Sequence, residues 1–266
     1  MIPVGDSPRS RTTPWVTWAI ILANIGVWIY MLLLNAAVTD DRGGARPQSA
    51  AQANAACYGF QTNATDLDRF ICTWGFQPAE FLDTVQGEAN VEPGRVEVLF
   101  SIISSVFLHA GWLHIIGNML FLWVFGDNVE DRLGHFRFLA FYLVAGIVAA
   151  LAQTLFDTSS VVPVVGASGA VAGVLGAYLI YYPKATVNVV IPFFILIFIP
   201  LPIPAVIMIG LWFIQNLLAG VATIYDPAAP DSGVAFFAHI GGFVFGALTI
   251  LLFFRRAGRR APPSWR

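Results

Sequence analysis

A single serine stands among small residues in Val165-Gly166-Ala167-Ser168-Gly169-Ala170, at the start of an apolar stretch, and His239 lies near the start of a later one. A serine hydroxyl is unreactive at its own pKa and becomes a nucleophile when a base is within hydrogen-bond reach, so the pair is a candidate for acyl transfer. The tetrahedral intermediate of that chemistry needs donors for its oxyanion. The backbone N–H of Ser168 near a helix N-terminus is one, and His114 and Asn118, at i and i+4 on one helix face, are others. Asp157 and Asp226 fall in loops, so no carboxylate orients the imidazole and the arrangement is a dyad. It is not the Gly-x-Ser-x-Gly elbow of soluble hydrolases, because position 170 is Ala and no strand precedes it. Taken alone, Ser168 equally fits a packing helix whose hydroxyl bonds across an interface, and His239 a satisfied structural group.

Elements that bring these groups together must be apolar helices. The chain of 266 residues is 57% hydrophobic and only 11% charged, too little polar surface to coat a soluble globule. Cutting at charges and prolines leaves six spans near Trp15 to Leu34, Trp112 to Gly126, Phe138 to Phe156, Gly166 to Tyr182, Pro204 to Val221 and Val234 to Phe254. The expected fold is an all-α membrane protein of six transmembrane helices with a long extracytoplasmic first loop. Residues 1–14 form a cytoplasmic tail, 15–37 the first helix, 38–97 the loop, 98–254 the core with helices two to six, and 255–266 a basic cytoplasmic tail. Val187 to Leu201 reads as an apolar loop or interfacial piece, with a seventh crossing as the alternative. Val98 to Gly126 is broken at His109-Ala110-Gly111, so its first half lies shallow in the bilayer. The first span lacks a convincing cleavage site and is expected to remain as an anchor. The arginines at 255, 256, 259, 260 and 266 put both termini in the cytoplasm.

Polar residues inside the spans are sparse: Asn24, His114, Asn118, Gln153, Ser168, Gln215, Asn216 and His239, with no Asp, Glu, Lys or Arg. That weighs against an ion-coupled transporter. The second, fourth and sixth spans run in the same direction, so His114 with Asn118, Ser168, and His239 share one depth below the outer surface. Gly166, Gly169, Gly173 and Gly176 leave one face of the fourth span nearly bare, and Gly242 and Gly246 follow His239 on one face of the sixth. Two such faces pack closely in lipid and bring Ser168 towards His239.

The loop from Val38 to Glu97 carries nine acidic residues and four arginines, and Tyr58 to Asp83 has aromatics enough for a small lobe. Both cysteines of the chain, Cys57 and Cys72, fall there; an exported pair reads as a disulfide, with two unpaired thiols as the alternative. No phosphate-binding loop, nucleic-acid patch or metal-ligand cluster is evident. The mixed charges of Gly126 to Arg132 read as a capped, ion-paired helix end in a short inner turn.

Gly166-Ala167-Ser168-Gly169-Ala170, then Ala238-His239-Ile240-Gly241-Gly242 with Gly246, preceded by His109, His114 and Asn118, resemble the signature segments of the rhomboid family of intramembrane serine proteases. The similarity runs from about Phe100 to Phe254. It implies a six-helix bundle in which Ser168 is the nucleophile, His239 the general base, and His114 with Asn118 the oxyanion donors. Glu130 and Arg132 match the family's acidic-x-Arg at the inner end of the second helix. Two departures stand out: Phe100-Ser101 replaces a Trp-Arg pair of the first loop, and Ala172 replaces a Tyr that stacks on the histidine in some members. The implied activity is cofactor-independent cleavage of transmembrane protein substrates, in membrane lipid and with no nucleic-acid partner. The implied place is the plasma membrane, with His109, His114, Asn118, Ser168 and His239 lining a polar hollow open to the outside. A catalytically inactive binding or translocation factor with the same bundle is the alternative.

Overall fold

Residues 2–39, 65–87, 95–190, 200–225 and 233–254 are described by the computed structural model of the chain. Four of the helices in them are long and apolar enough to cross a bilayer. They are α1 (Trp15–Thr39), α6 (His135–Phe156), α8 (Ala205–Tyr225) and α9 (Phe236–Thr249), the last continued by a π-helical turn to Phe254. Two short helices, α2 (Asp66–Trp74) and α3 (Pro78–Gln86), precede α4 (Arg95–Ser104), whose last turn tightens to a 3₁₀ helix over Ser105–Phe107. The segment 96–107 and α5 (Trp112–Leu133) meet at a bend of 77° around His109 to Gly111, a broken span or re-entrant piece. The chain is a multi-pass membrane protein.

At the centre stands α7 (Ser168–Tyr181), only 14 residues long, with every residue from Gly169 to Tyr178 buried. A helix this apolar on all sides with so many glycines can only be stable when enclosed by other helices. It packs against α6 and α9 through those glycines. A Cβ on Gly173 would stand 2.7 Å from the Ala145 Cβ and 3.3 Å from the Gly242 carbonyl oxygen. Cβ atoms on Gly242 and Gly246 would overlap the carbonyl oxygens of Gly169 and Gly173, backbone against backbone.

The bundle is mostly helical, consistent with the all-α membrane fold expected from the sequence, and it carries one small sheet that the expectation did not include. Three strands, β1 (Ile2–Ser7), β2 (Thr186–Val190) and β3 (Leu201–Pro204), form an antiparallel sheet in the order β1-β2-β3. Within the 1–14 segment, residues 2–7 are thus a paired strand. Ser7 lies opposite Thr186 and Ile2 opposite Val190, while Thr186 lies opposite Pro204. Val187 and Val189 are fully buried, so the alternation of Thr186 to Val190 is that of a half-buried strand. Pro202 and Pro204 fit because β3 is an edge strand, where a missing N–H breaks no ladder. β2 and β3 lie side by side and antiparallel, with Val189 opposite Leu201; most of the stretch read as an apolar loop or a seventh crossing, residues 191–199, lies outside the described residues.

Gly126 to Arg132 is likewise not a turn: α5 runs through it to Leu133. Chain reversal comes one residue later, at Gly134, whose φ of 80° lies in the left-handed region that favours glycine. The charges of that last turn serve other elements. Glu130, 1% exposed, accepts the N–H of Val16 at 3.0 Å and the N–H and hydroxyl of Thr17, each at 2.7 Å, and so caps the N-terminus of α1 from another helix. His135 Nδ1 lies 2.5 Å from the same carboxylate. Arg132 donates to the Tyr182 hydroxyl at 3.0 Å and lies over the rings of Tyr181 and Tyr182. Asp6 of β1 accepts from the Tyr178 hydroxyl and from Asn128 Nδ2. Burial, followed by the nearby Asp127 charge, raises the Asp6 carboxyl to about 7.

At the other end, residues of the 38–97 segment form a lobe. Thr65 and Asp68 cap α2 reciprocally, the Thr65 hydroxyl accepting from Asp68 N–H and the Asp68 carboxylate from Thr65 N–H. Phe76, fully buried, exchanges two backbone hydrogen bonds with Val164, at 3.1 and 2.7 Å, which ties the lobe to the connection leading into α7. Cys72 is buried on α2 and disulfide-bonded, while Cys57 lies outside the described residues.

Candidate active site

Ser168 is the first helical residue of α7, after Ala167. Its N–H is one of the first-turn donors without an intrahelical partner. The approach to it is set by Gly166, whose φ of 127° is closed to ordinary side chains. Gly166 thus precedes the helix rather than packing within it, and its neighbours are not on α9. A Cβ there would stand 2.6 Å from both Cε1 and Nε2 of His114 and 3.7 Å from Asn118 Nδ2. The Gly166 N–H is held by the Ser105 carbonyl at 2.9 Å, so the turn before Ser168 is anchored on the 3₁₀ turn.

On the facing side, a Cβ at Gly169 would be 3.7 Å from the carbonyl oxygen of Ala238. These two residues adjoin Ser168 and His239, and the backbones carrying both groups are in near contact. The Gln153 side-chain oxygen accepts from the Ala238 N–H at 3.3 Å, so α6 caps the first turn of α9. Among the described residues no hydrogen bond joins Ser168 to His239, and such bonds in unliganded sites often tighten only with substrate. Ser168, His114 and His239 each keep part of their surface open, whereas Asn118 is buried.

Asn118 Nδ2 has no hydrogen-bond partner in the protein, and Gly166 is among its neighbours. A buried unpaired donor beside the candidate nucleophile is what an oxyanion site requires. His109 is fully buried with its ring 5.0 Å from that of His114, edge to face, so it backs His114 instead of lining an open hollow. No group of three or more His, Cys, Asp or Glu side chains suited to a metal occurs among the described residues.

A family model described as the rhomboid domain matches residues 96–256, more than half of the chain. The chain belongs to the rhomboid family. It is 26% identical over 262 residues to RHOMBOID-like protein 1 of Arabidopsis thaliana, covering 91% of this chain and 54% of the relative. It is 34% identical over 157 residues to Rhomboid protease AarA of Providencia stuartii, covering 54% and 52% respectively. A shorter segment of 78 residues, 29% of this chain and 15% of the relative, is 44% identical to Rhomboid protease GluP of Bacillus subtilis. The chain thus spans about half the length of the first two of these relatives.

One residue of this rhomboid that the site brings in has no assigned role on sequence grounds. Asn216 of α8 lies with Oδ1 2.6 Å from His239 Nδ1. The only signal for it is its type: an amide in an otherwise apolar helix, directly before the helix that carries the histidine.

Proposed function

We propose that the protein is an intramembrane serine endopeptidase cleaving transmembrane segments of other membrane proteins, with Ser168 as nucleophile and His239 as general base. The observation that carries the reading is the near contact of Gly169 with Ala238, produced by the glycine interlock of α7 and α9. In this reading α1, α5, α6, α7, α8 and α9 are the six spans. The site opens to the outer side of the plasma membrane, and both termini, with the small sheet, are cytoplasmic.

His239 Nε2 takes the Ser168 proton as Oγ attacks the scissile carbonyl. Charge developing on the carbonyl oxygen is met by the Ser168 N–H, Asn118 Nδ2 and His114. His239 then gives its proton to the leaving amine, and a water molecule, activated by the same imidazole, releases the acyl group from Ser168. Cleavage inside a bilayer needs a path for that water, which the partly open Ser168, His114 and His239 support. The test is labelling of the purified protein with a serine-directed fluorophosphonate. Wild type is expected to label, and Ser168→Ala and His239→Ala to be silent; a folded wild type that never labels refutes the protease reading.

A further inference from the structure

We propose that Asn216 is a positioning residue that holds His239 in the Nδ1–H tautomer, completing a Ser168–His239–Asn216 relay in which an amide stands where soluble serine hydrolases use a carboxylate. The inference rests on the protease reading. Its basis is the orientation of one buried side chain.

Asn216 is 7% exposed, whereas its neighbour Gln215 faces outward from the same helix. Asn216 Nδ2 donates to the Trp212 carbonyl one turn back, at 2.8 Å. That bond fixes which end of the amide meets the imidazole, because reversing it would set the amide oxygen against a carbonyl oxygen. The end facing Nδ1 is therefore Oδ1, which only accepts. Nδ1 must carry the proton, and Nε2 keeps the lone pair that a general base needs. The Trp212 ring lies beside the imidazole, its centroid 5.7 Å away and its plane tilted by 35°. Together the two α8 residues restrain both the rotation and the protonation pattern of His239.

An amide is the economical choice in this setting. A carboxylate beside a neutral imidazole in an apolar bundle carries a full charge away from water, whereas an amide oxygen supplies the same acceptor without one. On α7 the small Ala172 offers no ring or hydrogen-bonding group of its own, and it is α8 that brings Asn216 and Trp212 to the imidazole. The relay is thus assembled from α7, α8 and α9.

The experiment compares wild type with Asn216→Leu, which keeps the branched shape and removes the acceptor, and Asn216→Asp, which keeps the acceptor. Two readouts are used: the second-order rate constant of fluorophosphonate labelling, and the ¹⁵N chemical shifts of His239, which distinguish the two tautomers. Wild type is expected to be in the Nδ1–H form. Asn216→Leu is expected to lose about 10²-fold in labelling rate, a part of the ~10⁴ that a wrong tautomer costs in a serine protease triad, and to populate Nε2–H. Asn216→Asp, whose protonated carboxyl donates to the Trp212 carbonyl in place of Nδ2 and still accepts from His239 Nδ1–H, is expected to recover most of that rate, which a purely packing role would not predict. Labelling of Asn216→Leu at the wild-type rate, or an Nε2–H tautomer in wild type, overturns the assignment while leaving the protease reading intact. A wild type that never labels overturns both. If Asn216→Leu does not fold, the wild-type tautomer decides alone.

Discussion

Gly246→Ala adds one methyl group and touches no group of the candidate site, yet it should cost most of the activity. The added Cβ would overlap the Gly173 carbonyl oxygen and stand 2.7 Å from its carbonyl carbon and 2.8 Å from its Cα. Ordinary contact begins at 3.4 Å, so α9 must retreat from α7 by at least about 0.7 Å, and further to clear the oxygen. The atoms struck are backbone, which cannot rotate away. Overpacking of this kind costs about 1–3 kcal/mol, and a misplacement near 1 Å at a reacting centre costs about 10²-fold in rate. Gly246 is two turns from His239 on the same helix, so the displacement is carried to the imidazole. The fluorophosphonate labelling rate should fall 10- to 100-fold, on the scale of that misplacement penalty, together with a lower thermal midpoint. Gly26→Ala is the control, since a Cβ there meets nothing within 4 Å. In a helix interior that change should be neutral or stabilising by up to about 1 kcal/mol. Wild-type labelling by Gly246→Ala would show that the α7–α9 contact does not set the geometry of Ser168 and His239.

Other outcomes follow from the same structure. Asn118→Ala should retain measurable labelling, reduced about 10²–10³-fold as for loss of one oxyanion donor, while Ser168→Ala gives none; equal silence in a folded Asn118→Ala would make its role structural. His135→Ala should label near the wild-type rate, because its partner is Glu130 at the opposite end of the bundle, whereas normal labelling by His239→Ala would end the assignment of the base. Asp6, raised by burial to about 7, binds more protons in the docked strand than in the released one, so its contribution to docking of β1 is fully present below about 4 and is lost as pH rises through 7. Hydrogen exchange of residues 2–7 should accelerate between pH 5 and pH 8 beyond the intrinsic rate, on the scale of that titration, and Asp6→Asn should remove the excess. Finally, alkylation of the unfolded, oxidised chain should modify neither Cys57 nor Cys72 and, after reduction, both; two modified cysteines without reductant would exclude a bridge between them.

What the sequence makes legible is set by the range over which each signal acts. Apolar helices announce themselves locally, and α1, α6, α8 and α9 begin and end within a few residues of where charges and prolines place them. Glycine faces are also local, which is why the spacing of Gly169, Gly173, Gly242 and Gly246 is enough to mark them as a contact. Gly166 is different, because a glycine needed for its φ and one needed for close packing are the same letter. The sheet escapes a reading of the sequence because β1 pairs with residues far away in the chain, and six residues containing Pro3 and Gly5 carry little strand signal of their own. Glu130 reads as belonging to its own helix end, since nothing in a sequence shows that a carboxylate reaches the first turn of another helix. Asn216 is hidden for a related reason: residue type marks both amides of α8 as unusual in lipid, but only helix orientation separates the outward Gln215 from the inward Asn216.

The pairing of β1 with β2 has a consequence for biosynthesis. Ser7 lies opposite Thr186, and the chain between them contains α1, the lobe, α5, α6 and the whole of α7. At about 5–20 residues per second the ribosome needs roughly 10–40 s to span that gap, far longer than a hairpin takes to close. For that interval β1 has no partner strand, and Asp6 lacks the Tyr178 hydroxyl as well, because Tyr178 is made only just before β2. The sheet is therefore a late event by construction. It closes only after α7 has entered the bundle, so a ribosome-bound chain halted before residue 186 should leave residues 2–7 open to protease even though α1 is already inserted.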